Sequence, residues 1–117
     1  MKKIFFTTFN LLKEKKYIIK FFEEIKDEVI IFLDKENNIK IFASICPHFG
    51  GKIFYEFNHN KLICKWHNWK FCTHTGRCLT YPIKGKLNPY EFKIDPNPLK
   101  NYDVNIENNK IYLIYEN

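Results

Sequence analysis

No apolar run in these 117 residues approaches the roughly 18 consecutive residues that a membrane-spanning helix needs. The nearest imitation of a leader is Lys2-Lys3 followed by residues 4–12. Thr7, Thr8 and Asn10 break that run, no small-residue cleavage site follows it, and charge resumes at Lys13. The segment therefore reads as mature protein and as an edge strand, and the chain as cytoplasmic, with an organelle matrix as the alternative. Arginine is almost missing. Arg77 is the only one, the lysines are dispersed, and no recognition motif accompanies them, which argues against a nucleic-acid partner. There is no internal repeat and no linker-like boundary, and the length suits one domain over residues 1–117 rather than two.

What is abundant points to a folded chain. Hydrophobic residues make up 45% and aromatics 18%, too much apolar material for a disordered sequence. The formal charge of +6, from 19 Lys and Arg against 13 Asp and Glu, reads first as a solvated surface. Its functional reading is faster association with an acidic partner, an effect that salt weakens.

The apolar pattern is that of strands joined by tight turns. Residues 17–22 form one candidate, and 29–33 with 39–45 make a hairpin around Asp34-Lys35-Glu36-Asn37-Asn38. Residues 53–57 and 61–64 flank Asn58-His59-Asn60. Residues 69–72 and 77–81 flank Thr75-Gly76, and 104–106 with 111–115 flank residues 107–110. Hairpins at this short spacing predict an all-β antiparallel sandwich or barrel. A short helical turn is expected near 98–102, and a turn or polar loop at 23–28. Pro82, Pro89, Pro96 and Pro98 mark 81–99 as irregular connection.

Two short motifs carry the chemistry: Cys46-Pro47-His48 and Cys64-Lys65-Trp66-His67, with fifteen residues between His48 and Cys64. Each follows a candidate strand, so two loops leaving neighbouring strands can meet at one tip. Thiolate and imidazole donors together suit iron–sulfur clusters, zinc and copper. A structural zinc finger usually keeps its two Cys in one motif and its two His in another. Here each loop holds one of each. That mixture matches a [2Fe–2S] cluster with two Cys on one iron and two His on the other. A zinc-binding interaction module remains the alternative.

These motifs, with Phe49-Gly50-Gly51-Lys52-Ile53 after the first and Asn68-Trp69-Lys70-Phe71 after the second, resemble the Rieske [2Fe–2S] domain family. Thr75-Gly76-Arg77-Cys78 with Pro82, then residues 98–104 and 111–113, resemble the hairpin, proline loop and closing strands that follow in Rieske ferredoxins and ring-hydroxylating oxygenases. The resemblance covers about residues 29–115. It implies a Rieske-type antiparallel fold carrying a small subdomain of two cluster-binding loops, about 46–51 and 64–69. It also implies one [2Fe–2S] cluster held by Cys46, His48, Cys64 and His67, and a role in electron transfer rather than catalysis. Glycine usually follows the second histidine in the family; Asn68 stands there, a residue that tolerates the left-handed backbone.

The resemblance bears on potential too. High-potential members carry an extra Cys in each loop, joined as a disulfide, and place Ser and Tyr two and four residues after the second histidine. Those positions hold Gly51 and Trp66, and Trp69 and Phe71. Hydrogen bonds to cluster sulfur raise the potential, so their loss points to the low end of the Rieske range. The implied partners are a flavin-dependent or ferredoxin reductase and a terminal oxygenase or similar acceptor. A Rieske subunit or detached domain of an oxygenase or nitrite-reductase-like complex is the runner-up. With His48 and His67 committed, only His59 and His74 remain for the two-His, one-carboxylate catalytic iron of a complete oxygenase, and no further domain is expected to follow, so catalysis by this chain alone is not expected.

The remaining residues carry weaker expectations. His59 and His74 read as exposed turn histidines. Trp69 is expected to pack beneath the second loop, while Trp66 and Phe49 are candidates for shielding or docking at the tip. Cys72 and Cys78 flank a hairpin and read as two free thiols, with a redox-linked disulfide as the minor reading.

Overall fold

In the computed structural model, residues 1–45, 50–65, 69–77, 79 and 99–116 are described. In chain order they form β1 (Lys2–Thr8), α1 (Phe9–Lys15), β2 (Tyr17–Phe22), β3 (Asp27–Leu33), β4 (Ile39–Ala43), β5 (Ile53–Glu56), β6 (Lys61–Cys64), β7 (Lys70–Phe71), β8 (Asn101–Glu107) and β9 (Lys110–Tyr115). All pairings are antiparallel. Six strands form a sheet of order β1-β9-β8-β4-β3-β2, and three form a second of order β5-β6-β7. The all-β reading holds.

The apolar run of β3 explains the layering. Successive strand side chains point to opposite faces. Val29, Ile31 and Leu33 enter one core with Phe6, Leu12, Phe22, Ile41, Ile111 and Leu113. Ile30 and Phe32 enter another with Phe42, Ile53, Tyr55, Leu62, Trp69 and Phe71. A strand covered on both faces is apolar throughout rather than alternating. β4 divides likewise, Ile41 to the first core and Phe42 to the second. The small sheet, whose strands have four, four and two residues, is too short to stand alone. It is held by packing on this second face, where Phe32 stacks on Tyr55 at 4.6 Å between ring centroids.

Three of the turns owe their shape to asparagine. Asn37, Asn60 and Asn108 sit at φ of 65°, 53° and 58° in the β3–β4, β5–β6 and β8–β9 turns. Asn accepts that backbone better than most residues.

The expected edge strand over 4–12 is half right. β1 lies at the sheet edge and pairs with β9, but residues 9–15 are a helix. Thr8 caps it, accepting the Leu11 N–H at 3.3 Å. Lys16, at φ 75°, ends it with its N–H on Leu12 O. Leu12 alone is buried, so the segment lacks the apolar stripe that marks a helix in sequence. The helical turn expected near 98–102 is also corrected. Asn101 and Tyr102 belong to β8 and pair with Phe42 and Ile41. The expected irregular stretch at 81–98 and the strand end at 80–81 lie outside the described residues.

Tyr102 ties β8 to β3 by donating its hydroxyl to Asp27 Oδ2 at 2.7 Å. Burial first, then the hydrogen bond and charge of Asp27, push its pKa well above the usual 10. Folded Tyr102 therefore keeps its proton at a pH where the unfolded chain has lost it. Its stabilisation is complete below pH 10 and falls as pH rises beyond it. Urea midpoints at pH 9 and 11 should drop more in the wild type than in Tyr102→Phe, which has no phenol to titrate.

Candidate metal centre

The described residues build the base on which the two motif loops stand. β4 leads through Ser44 to Ile45, where the first loop departs, and the chain returns at Lys52, which bridges back to Ile45. The Ile53 N–H donates to Ser44 O at 2.7 Å, locking the return into β5. On the other side, β6 ends at Cys64, where the second loop departs. The loop closes on itself, because the Cys64 N–H donates to Trp69 O at 2.8 Å. Ile53 pairs with Cys64 across β5 and β6, and the Lys65 N–H donates to Lys52 O at 2.9 Å. Two loops that are remote in sequence thus leave the fold side by side, each pinned at its neck.

Of the four predicted ligands, Cys64 is described. It is fully buried at the end of β6, within the second core. Cys46, His48 and His67 lie outside the described residues, as do Phe49, Trp66, Asn68 and Cys78. Gly50 takes φ +74°, with nothing among the described residues within 4 Å of an added Cβ, and that backbone by itself calls for glycine after the first motif. Trp69 is buried and packs beneath the second loop as expected, with Phe71 beside it in the core. The described frame brings together the flanks of the two segments whose sequence carries thiolate and imidazole donors.

One brace was not legible in the sequence. Glu28 of β3 accepts the Ser44 N–H on its backbone oxygen at 2.8 Å and the Ser44 hydroxyl on Oε1 at 3.1 Å. The Lys52 ammonium lies 3.4 Å from the same oxygen. One carboxylate therefore holds both ends of the first loop. Ser44 and Lys52 lie 16 and 24 positions from Glu28, and no local pattern announces the contact.

The other histidines sit in turns, as expected. His59 is exposed and bonded through Nδ1 to Glu56 at 2.7 Å; that bond holds the Glu56 carboxyl below the usual carboxylate range. His74 is half-exposed and its Nε2 lies 3.4 Å from Glu36 Oε1. Cys72 carries a free thiol. Burial pushes that thiol up, but the Thr75 hydroxyl, the His74 and Thr75 N–H groups and the charge of Lys61 outweigh it, leaving its pKa below the ordinary value.

Comparison with known proteins agrees with this frame. The sequence matches the Rieske [2Fe-2S] domain over residues 8–91. The fold resembles the ferredoxin of carbazole 1,9a-dioxygenase from Nocardioides aromaticivorans IC177, at TM-score 0.74 and 17% identity, covering 99% of this chain and 100% of that one. It also resembles the plasma membrane Rieske protein PetC3 from Synechocystis PCC 6803, at TM-score 0.73 and 18% identity, covering 96% and 99%. Naphthalene 1,2-dioxygenase with indole bound gives TM-score 0.75 and 22% identity over 98% of this chain, but only 26% of that enzyme. No curated protein matches by sequence. No helix among the described residues is long and apolar enough to cross a membrane.

Proposed function

Because the chain belongs to the Rieske [2Fe-2S] domain family, whose members bind one [2Fe–2S] cluster and serve electron transfer, we propose that it is a low-potential Rieske ferredoxin. It takes single electrons from a flavin-dependent or ferredoxin reductase and passes them to a terminal oxygenase or similar acceptor, in the cytoplasm. Cys46 and Cys64 would hold one iron, and His48 and His67 the other. The observation that carries this reading is the pair of pinned loop necks. Lys65 N–H to Lys52 O and Cys64 N–H to Trp69 O bring together the described flanks of the two segments that carry the Cys/His motifs.

When bound, the cluster supplies reversible one-electron chemistry; the protein positions and tunes it. The hydrogen bonds at the necks hold the described flanks of the two loops to the sheet. Glu28 steadies the first loop through Ser44 and Lys52. Phe71, fully buried, has no hydroxyl to offer where a high-potential member places tyrosine. Fewer hydrogen bonds to sulfur leave the reduced state less stabilised. The net charge of +6 favours approach to an acidic partner surface.

A redox titration of the holoprotein tests the tuning. We expect a midpoint near the low end of the Rieske range, about −150 mV. A midpoint near the high end, about +300 mV, would contradict it. The likeness to a domain within a larger dioxygenase favours one second reading, a subunit of such a complex. Stable co-purification with a catalytic chain would select that reading over the free carrier.

A further inference from the structure

A second cluster of donor groups lies at the far end of β4 from the loops. Asp34 and Glu36 belong to the β3–β4 turn, and His74 to the turn that follows β7. One ligand atom from each of the three lies within 4.8 Å of the other two. Ile39 to Ile45 spans six residue steps, so about 20 Å of strand separates this turn from the first loop.

Asp34 is the reason to read the cluster as a site. Its Oδ1 accepts the N–H groups of Glu36 at 2.9 Å and Asn38 at 2.8 Å, which locks the carboxylate in the turn. The residue is only 1% exposed, yet Oδ2 is buried with no hydrogen-bond partner among the described residues. A buried carboxylate oxygen without a partner is costly, and such atoms are rare unless an ion or water completes them. The neighbouring groups do not supply one. Lys35 turns its ammonium to Asn58 O at 2.7 Å, and the Tyr55 hydroxyl donates to Asn60 Oδ1 at 2.7 Å. The Asp34 charge is nonetheless felt there: after burial, it helps push the Tyr55 pKa up to about 12.

We propose that Asp34, Glu36 and His74 bind one divalent first-row transition ion. Two carboxylates and a neutral imidazole leave a charge of −2 for a dication to neutralise. One nitrogen among the oxygens favours manganese, iron, cobalt or zinc over magnesium and calcium. Bonds from the ion to nitrogen and oxygen are about 2.0–2.2 Å, so ligand atoms must approach within about 4.4 Å of one another. Glu36 and His74 are exposed enough to make that small closure by side-chain rotation, against a fixed Asp34. The ion would then pin the β3–β4 turn to the turn after β7.

The test is a Mn2+ titration of the oxidised, cluster-loaded protein, following loss of the free-ion EPR signal. Oxidised [2Fe–2S] clusters give no EPR signal, so the manganese lines stand alone. We expect one Mn2+ per chain, displaced by Zn2+. Glu36→Gln and His74→Gln should each weaken binding at least about tenfold, while His59→Gln and Cys72→Ser should leave it unchanged. Asp34→Asn should abolish binding, and if it fails to fold the two exposed variants still decide. Absence of saturable binding up to about millimolar Mn2+, or equal binding by Glu36→Gln and His74→Gln, would overturn the site. Loss of binding in Cys72→Ser would overturn it too, by reassigning the ion to the thiol. The variants leave Cys46, His48, Cys64 and His67 intact, so failure here leaves the electron-carrier reading standing.

Discussion

Cys64→Ala should yield a protein that retains less than about a tenth of the iron and acid-labile sulfide of the wild type, against about two of each per chain expected for the intact cluster. His48→Ala and His67→Ala should do the same. Cys64 is buried at the end of β6, where the second loop departs, and its backbone N–H already closes that loop on Trp69 O. The hydrogen bond survives the change; the sulfur does not. Because ligand bonds hold the loops only in the folded state, the loss of metal is also a loss of stability. The thermal midpoint should fall with the iron content. His59→Ala is the matched control. That histidine is exposed and bonded to Glu56, so iron, sulfide and colour should remain at wild-type levels. Iron retained in Cys64→Ala would remove this residue from the ligand set.

The second large effect is expected outside the two motif loops, at Gly76→Ala. Gly76 takes φ +75°, and a Cβ there would stand 2.6 Å from the Leu99 carbonyl oxygen and 3.0 Å from Phe42 Cε1. The left-handed backbone alone costs an L-residue about 1–2 kcal/mol. The clash adds about 1–3 kcal/mol, because neither obstacle can step aside. Leu99 is fixed by its own N–H on Gly76 O at 2.9 Å, and Phe42 is fully buried in the second core. The total, about 2–5 kcal/mol, is a large share of the 5–15 kcal/mol that holds a domain together. Gly50→Ala separates the two causes. It has nearly the same φ, +74°, but no atom of the described residues within 4 Å of an added Cβ, so it should cost about 1–2 kcal/mol from the backbone alone. Urea unfolding of the holoproteins measures both. Equal losses at the two positions would show that the crowding at Gly76 is relieved.

The legible part of the fold was the part written locally. β2 was read to the residue, since its run is bounded by Lys16 and the acidic turn after Phe22. The asparagine turns were visible because few other residues accept a left-handed backbone. α1 was not visible, because a single cap at Thr8 and a single buried side chain, Leu12, give no periodicity. The ends of β8 were missed because Tyr102 and Asn101 become strand only by pairing with β4. The site divides the same way. The Cys and His spacing could be read directly, since each motif lies within one loop. Glu28, which braces the first loop through Ser44 and Lys52, depends on contacts between distant strands. The Asp34–Glu36–His74 cluster joins two separate turns, and neither turn alone suggests it.

The central claim, one [2Fe–2S] cluster with two Cys on one iron and two His on the other, is tested most directly by the EPR spectrum of the dithionite-reduced protein. Mixed ligation lowers the average g-value below that of an all-Cys [2Fe–2S] cluster, and a single such signal is the expected result. A spectrum with the average g-value of all-Cys ligation, or a colourless, silent protein containing zinc and no labile sulfide, would contradict it.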